Sequence, residues 1–242
     1  MPVDAIYLDF QKAFDKVPHR RLVTKLQGYG VGPFVTSWIS NWLSNRSQRV
    51  VLNGSSSTWK NVKSGVPQGS VLGPLLCVIY INDIDDCIVN KLSKFADDTK
   101  LLGVVSNAEQ IDSLRKDLCN LYSWSQDWLM LFNVEKCHVI HFGSSNMKAS
   151  YVLNGETLSV ATEERDLGII VSSDLKVAKQ CAKSISTANR VLGMISRTIT
   201  NKSKQIILNL YKSLVRPHLE YCIQAWRPHL QKDIDLLERV QR

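Results

Sequence analysis

A chain of 242 residues with 44% hydrophobic and 21% charged residues can bury one large core or two modest ones, and is too apolar to be disordered. Thirty Lys and Arg against 22 Asp and Glu leave a formal charge of +8, which suits a polyanionic partner without requiring one. Six scattered cysteines with no CxxC pair argue against a disulfide framework, and with no basic-then-apolar leader and no apolar run long enough for a bilayer, the expectation is an intracellular protein with reduced, buried thiols: nuclear or cytoplasmic, neither secreted nor membrane-bound.

In chain order, Ala5-Ile6-Tyr7-Leu8-Asp9-Phe10 reads as a short buried strand ending in an acid. Arg20 to Tyr29 reads as a helix with Leu22, Val23 and Leu26 on one face, and Phe34 to Leu43 as a second whose aromatic stripe, Trp38 and Trp42, is expected in the core. Arg49 to Leu52 and Trp59 to Val62 flank the turn signal Asn53-Gly54. They lead into Ser64-Gly65-Val66-Pro67-Gln68-Gly69-Ser70 and an apolar helix to about Ile84. A loop this rich in Gly and Pro can bring bare backbone close to a ligand, and a helix start offers N–H groups to phosphate.

Phe95-Ala96-Asp97-Asp98-Thr99 is the organising stretch. With apolar flanks pairing as strands, Asp97-Asp98 would form the tip of a hairpin. Carboxylates are poor strand residues and costly to bury unpaired. They point either to a solvated acidic turn or to a magnesium site, since Mg²⁺ takes carboxylate oxygens. Ala108 to Leu131 is the clearest amphipathic helix. Asn133 to Phe142 follows as a strand, on which Cys137 and His138 point to opposite faces and cannot easily share a zinc ion. Asn154-Gly155 marks another hairpin, and Glu163 to Val171 contains Asp166-Leu167-Gly168 and an apolar strand. Composition then shifts near Ser172 to Asp174 toward Lys- and Arg-bearing helices, Val177 to Thr198, Lys202 to Val215 and Lys232 to Arg242. The expected division is therefore residues 1–173 and 174–242.

Asp9, the Asp97-Asp98 pair and the Gly65–Ser70 loop share one chemistry, two-metal phosphoryl transfer. The motifs Leu8-Asp9-Phe10-Gln11-Lys12-Ala13-Phe14-Asp15-Lys16-Val17-Pro18-His19, Ser64 to Pro74, Tyr80-Ile81-Asn82-Asp83, Phe95-Ala96-Asp97-Asp98-Thr99, Phe132 to Cys137, Asp166-Leu167-Gly168 and Leu214 to Tyr221 follow one another in a familiar order. The chain closely resembles the reverse transcriptase domain of LINE-type, Jockey-like non-LTR retrotransposons over nearly its whole length. The resemblance implies an α+β, antiparallel-sheet polymerase palm with packed helices over 1–173, followed by a helical thumb, truncated, over 174–242. It implies RNA-directed DNA synthesis from an RNA template, a DNA primer and deoxynucleoside triphosphates, with two Mg²⁺ ions for which Mn²⁺ could substitute.

Residue by residue, the resemblance makes Asp9 and Asp97 the metal ligands, with Asp98 nearby and the Phe10 carbonyl completing one shell. It sets Phe14 against the sugar to exclude a 2′-hydroxyl, Gln68 and Gly69 against nucleotide and template, and Lys136 near the departing pyrophosphate. Leu167 and Gly168 become the turn that positions the primer end. Lys136 also reads as an ordinary strand-edge lysine, and the C-terminal cations as solvated helix faces. The chain opens at the first acid strand, without the fingers that the resemblance leads one to expect. That leaves a second reading: a catalytically silent remnant that at most binds nucleic acid non-specifically; as it stands, the chain is expected to bind nucleic acid but to polymerise very poorly.

Overall fold

In the computed structural model, which describes residues 1–241, the chain divides into two compact units, Met1–Val160 and the part from Ala161 onward. The first is built on Val3–Leu8 (β1), where Asp4, Ala5, Ile6 and Leu8 are all buried. Two helices follow, His19–Gly28 (α1) and Pro33–Leu43 (α2), then Leu72–Tyr80 (α3) after an exposed hairpin tipped by Asn53-Gly54. Lys91–Phe95 (β2) and Asp98–Val104 (β3) form the acidic hairpin, Ala108–Asp127 (α4) packs on β3, and His138–Phe142 (β4) and Ser159–Val160 (β5) complete the sheet. Strand order is β5-β4-β1-β3-β2, antiparallel except where β5 meets β4.

β1 is the central strand and all its residues are buried or half-buried, so it needs no polar alternation. The exception is Asp4, fully buried. Its carboxylate accepts from Tyr151 Oη, from His141 Nδ1 at 2.7 Å and from Asn146 Nδ2 at 2.7 Å. Three donors on a buried charge offset the desolvation that would otherwise exclude it.

α4 is the helix whose sequence carries both period and cap. Asn107 Oδ1 accepts from the Gln110 N–H while Gln110 Oε1 accepts from the Ser106 N–H, each at 2.9 Å, closing the first turn from both sides. Three expectations are corrected. In α2 the buried face is Thr36, Ile39 and Leu43; of the aromatic stripe Trp42 packs half-buried against the core, while Trp38 is 50% exposed and lies outside it. In α1, Lys25 is buried in place of Val23. The strand before β4 is interrupted: Val134–Lys136 is a 3₁₀ turn, because the Asn133 N–H leaves the strand to reach the Asp9 carbonyl at 2.7 Å.

The second unit opens with the hairpin Glu163–Asp166 (β6) and Ile169–Ser172 (β7), a sheet of its own. β7 is tied to Ala178–Thr198 (α5) through Gln180, whose Oε1 accepts from the Ile170 N–H at 2.9 Å. By compactness this hairpin goes with the helices that follow it. Lys204–Leu210 (α6), a π turn at Tyr211–Val215, Arg216–Glu220 (α7) and Gln231–Gln241 (α8) follow, around a small core of Ala188, Ile195, Val215, Leu219 and Val240. All six cysteines are free; Cys77, Cys137 and Cys181 are buried, while Cys87, Cys119 and Cys222 are exposed, against the expectation of buried thiols throughout.

Candidate active site

Strand register brings the first acid and the acidic turn to one end of the sheet. The β1–β3 ladder closes with Leu8 opposite Thr99, so Asp9 leaves β1 where β3 begins at Asp98. The Phe95–Asp98 pair closes a two-residue turn made of Ala96 and Asp97. The tip is thus one residue earlier than Asp97-Asp98. Ala96 takes a left-handed φ of 53°, and Asp98 joins the ladder. Asp97 is half-buried and Asp98 exposed.

Asp9 is clasped by residues 131–137. Its N–H donates to Cys137 Sγ at 3.5 Å and its carbonyl accepts from Asn133, while the Gln11 N–H donates to the Leu131 carbonyl at 2.8 Å. Phe10 bridges to Phe132, their rings stacked 4.6 Å apart. Asp9 Oδ2 is buried and has no aligned hydrogen-bond donor among the described residues; the Lys136 ammonium, 3.0 Å away, meets it as an ion pair. A buried carboxylate oxygen whose charge is answered only by a cation suits a metal ion as well as a lysine. Among the described residues no group of three or more His, Cys, Asp or Glu side chains is gathered to hold one.

The Gly-rich loop is bound to the chain just past Asp9. Val66 N–H donates to the Phe14 carbonyl at 2.7 Å, Gly65 N–H to the Val17 carbonyl at 2.8 Å, and Ser64 Oγ to the Asp15 carbonyl at 2.9 Å. His19 Nε2 donates to the Gly65 carbonyl at 2.7 Å. Gly65 has φ +92°, and a Cβ there would lie 2.7 Å from the Asp15 and Phe14 backbone. Only glycine meets both demands. Phe14 is half-buried against the core, whereas Gln68 and Gly69 are exposed at the loop's far end.

Two buried thiols sense the acids. Burial, with the Asp97 charge adding to it, pushes Cys77 up to about 11 from its usual 9.0. Burial also pushes Cys137 up to about 11, and the charge of Asp9 adds to this while a backbone contact of Asp9 opposes it. Burial raises the Tyr80 and Tyr151 phenols as well. Folding thus keeps protons that the unfolded chain releases above pH 9. Their stabilising contribution is complete below that pH and is lost as pH rises through about 11, each thiol accounting for at most ~2–3 kcal/mol. Urea unfolding between pH 8 and 11 should show stability falling with pH, less steeply in Cys77→Ala than in the parent. An equal slope in the two proteins would remove Cys77 as a cause.

In the second unit, Leu167 and Gly168 form the tip of the β6–β7 hairpin, both with positive φ, 45° and 88°. Tyr221 Oη donates to the Leu167 carbonyl at 3.0 Å, and a Cβ on Gly168 would sit 3.2 Å from the Tyr221 ring. Of the cations expected to grip a polyanion, Lys179 is paired with Glu163 and Lys176 with Asp174. Arg190, Arg197, Lys202, Lys204 and Lys212 are exposed.

One cluster escaped the sequence altogether. Lys25 of α1 lies among Tyr80, Trp124 and Trp128, 4.8, 4.8 and 3.8 Å from their ring centroids, and is ion-paired with Asp83. Its only sequence signal is the motif Tyr80-Ile81-Asn82-Asp83, whose partner is 58 positions away.

Residues 5–206 match the family described as "Reverse transcriptase (RNA-dependent DNA polymerase)". Among curated proteins, the RNA-directed DNA polymerase from mobile element jockey of Drosophila melanogaster is 27% identical over 93% of this chain and 26% of its own length. The jockey polymerase of Drosophila funebris is 29% identical over 93% and 26%. The probable RNA-directed DNA polymerase from transposon X-element of Drosophila melanogaster is 25% identical over 98% and 27%. The chain therefore spans about a quarter of the length of these relatives. Among solved structures, apo telomerase from Candida tropicalis superposes with a TM-score of 0.55 at 12% identity, covering 98% of this chain and 40% of that one. The complex of that telomerase with a fragment of telomeric RNA gives 0.52 at 10%, covering 99% and 49%. The likeness is one of fold.

Proposed function

This chain belongs to the reverse transcriptase family, and from that premise we propose that it is the palm and thumb-like portion of a non-LTR retrotransposon polymerase that copies an RNA template into DNA. The observation that carries the proposal is the Leu8–Thr99 register, with Asp9 and the Ala96–Asp97 turn at one end of the sheet. The antiparallel-dominated sheet with helices on it fits a polymerase palm. We assign residues 1–173 to the palm, the Leu167–Gly168 turn included as the primer-positioning element, and 174–242 to the thumb.

Members of this family generally use divalent metal ions. Here Asp9 and Asp97 would hold two Mg²⁺, with Asp98 and the Phe10 carbonyl beside them. When bound, the ions activate the primer 3′-hydroxyl and stabilise charge on the leaving pyrophosphate. The chain's own residues do the positioning. The clasp on residues 131–133 fixes the Asp9 backbone; Phe14, held by Val66, closes off space beside the sugar 2′ carbon; Gln68 and Gly69 line the nucleotide. Lys136 is 67% exposed in its side chain, long enough to swing from Asp9 to a departing pyrophosphate. The exposed cations of α5, the loop after it, α6 and the π turn would follow a duplex backbone, with affinity falling as salt rises. No helix among the described residues is long and apolar enough to cross a membrane; we place the protein in the nucleus or cytoplasm.

Extension of oligo(dT) on poly(A) tests the proposal, both with the purified chain and with the chain set in the full length of a jockey-type relative. Template-dependent DNA synthesis in either context supports it; synthesis in neither favours a silent remnant. In the active context, Phe14→Val should lose about 10- to 200-fold of discrimination against ribonucleotides, read as the ratio of kcat/KM for dNTP and rNTP. An unchanged ratio would take Phe14 out of the sugar contact.

A further inference from the structure

A cavity of about 930 Å³ that includes neither Asp9 nor Asp97 is lined by the cations Lys16, Arg20, Arg21 and Lys63, by His19, and by serine and apolar residues. Gln11, two residues past Asp9, forms its edge. Lys16, Arg20 and Lys63 make no ion pair with a carboxylate among the described residues. Arg21 is fixed by donating to the Asp127 carbonyl at the end of α4. Four cations facing one space without an acid among the lining residues repel one another, and that arrangement is relieved by a ligand with closely spaced negative charges. The walls are firm: the His19 ring ties Gly65 to the start of α1, and the Ser64 hydroxyl ties its side to the Asp15 carbonyl ahead of that helix.

We propose that this cavity is a metal-independent binding site for the polyphosphate of a nucleoside triphosphate, separate from the metal-dependent site at the acids. Its volume falls within the range of small-ligand pockets, about 300–1,000 Å³. The apolar floor of Pro18, Val23, Leu129 and Leu131 beside the cations suits a compact ligand with a flat apolar part and a charged tail, more than a running strand that presents one phosphate at a time. The proposal does not rest on the polymerase reading, because binding is scored without metal and without synthesis.

The test is titration calorimetry of the 242-residue chain in EDTA with dGTP, with inorganic tripolyphosphate, and with a short single-stranded oligonucleotide as competitor. The charge reversal Arg20→Glu/Lys63→Glu alters two exposed side chains, so the urea midpoint should hold while dGTP and tripolyphosphate affinities fall about tenfold or more. Arg20→Lys should retain most of the binding, and Asp97→Ala should retain all of it. Unchanged affinity in the charge reversal, equal loss in Asp97→Ala, or an oligonucleotide that binds there while neither polyphosphate does would each overturn the assignment. None of these outcomes bears on whether the acids catalyse synthesis.

Discussion

Asp97→Asn should reduce primer extension by about 10²–10⁴-fold while leaving the urea midpoint nearly unchanged, within ~1 kcal/mol. The amide keeps the shape of the carboxylate and the turn keeps its backbone, because the left-handed residue is Ala96 and the closing pair is Phe95 with Asp98. What the substitution removes is charge at the sheet end shared with Asp9, and stabilisation of a phosphoryl-transfer transition state by metal and carboxylate amounts to several kcal/mol. Asp98→Asn should cost less, since Asp98 is exposed and already engaged in the ladder. The measurement is the single-nucleotide incorporation rate at saturating primer–template, in whichever protein context is active. If Asp97→Asn keeps more than a tenth of the rate, or Asp98→Asn is the more damaging, the assignment of the two acids is wrong.

Lys25→Ala should destabilise the first unit by about 2–4 kcal/mol, from the gap left by a buried side chain and the loss of the cation beside half-buried Asp83. The ammonium donates to the Tyr80 carbonyl at 2.5 Å and to Asp83 Oδ1, and Trp124 Nε1 donates to the same oxygen at 3.1 Å. Desolvation holds the Lys25 amine below its usual value of 10.5 although Asp83 pulls it up, so burial outweighs the ion pair. Truncation would leave Asp83 with one donor and a gap among three aromatic rings. Lys25→Met fills much of that gap and should lose less. Adding Asp83→Asn to Lys25→Met should recover part of the remainder, because the uncompensated charge is then gone. Urea midpoints at pH 7 give the comparison. A loss under ~1 kcal/mol in Lys25→Ala would show the cluster to be solvated in solution.

The acids, the loop and their order were legible because each lies in a local pattern: Asp9 ending an apolar run, Asp97 between strand-forming flanks, Gly65 in a turn-rich stretch. α4 was legible for the same reason, its amphipathic period being local. What was not legible depended on a partner distant in sequence. Trp38 and Ile39 are both apolar, and only packing selects the Ile39 face. Lys136 reads as part of a strand until the Asn133 N–H is drawn to Asp9 across the fold. Lys25 sits on a helix whose periodicity names Val23 instead, and nothing local announces that three rings and an aspartate will surround an amine. The stretch at 163–172 falls within the expected 1–173 portion, and it is the bond of the Ile170 N–H to Gln180 of α5, distant in sequence, that ties the hairpin to the second unit.

The Ala96–Asp97 turn settles a question of identity between neighbours that are chemically the same. Sliding β3 by one residue would put Asp98 where Asp97 now stands, and the two carboxylates could not tell the difference. The rest of the strand could: a one-residue slip reverses every side chain. Thr99 and Leu101, now 2% and 0% exposed, would turn outward, and exposing one such leucine forfeits roughly 1.5–3 kcal/mol. Which of two identical acids stands at the tip is therefore decided by an alkyl side chain four positions away that takes no part in the chemistry.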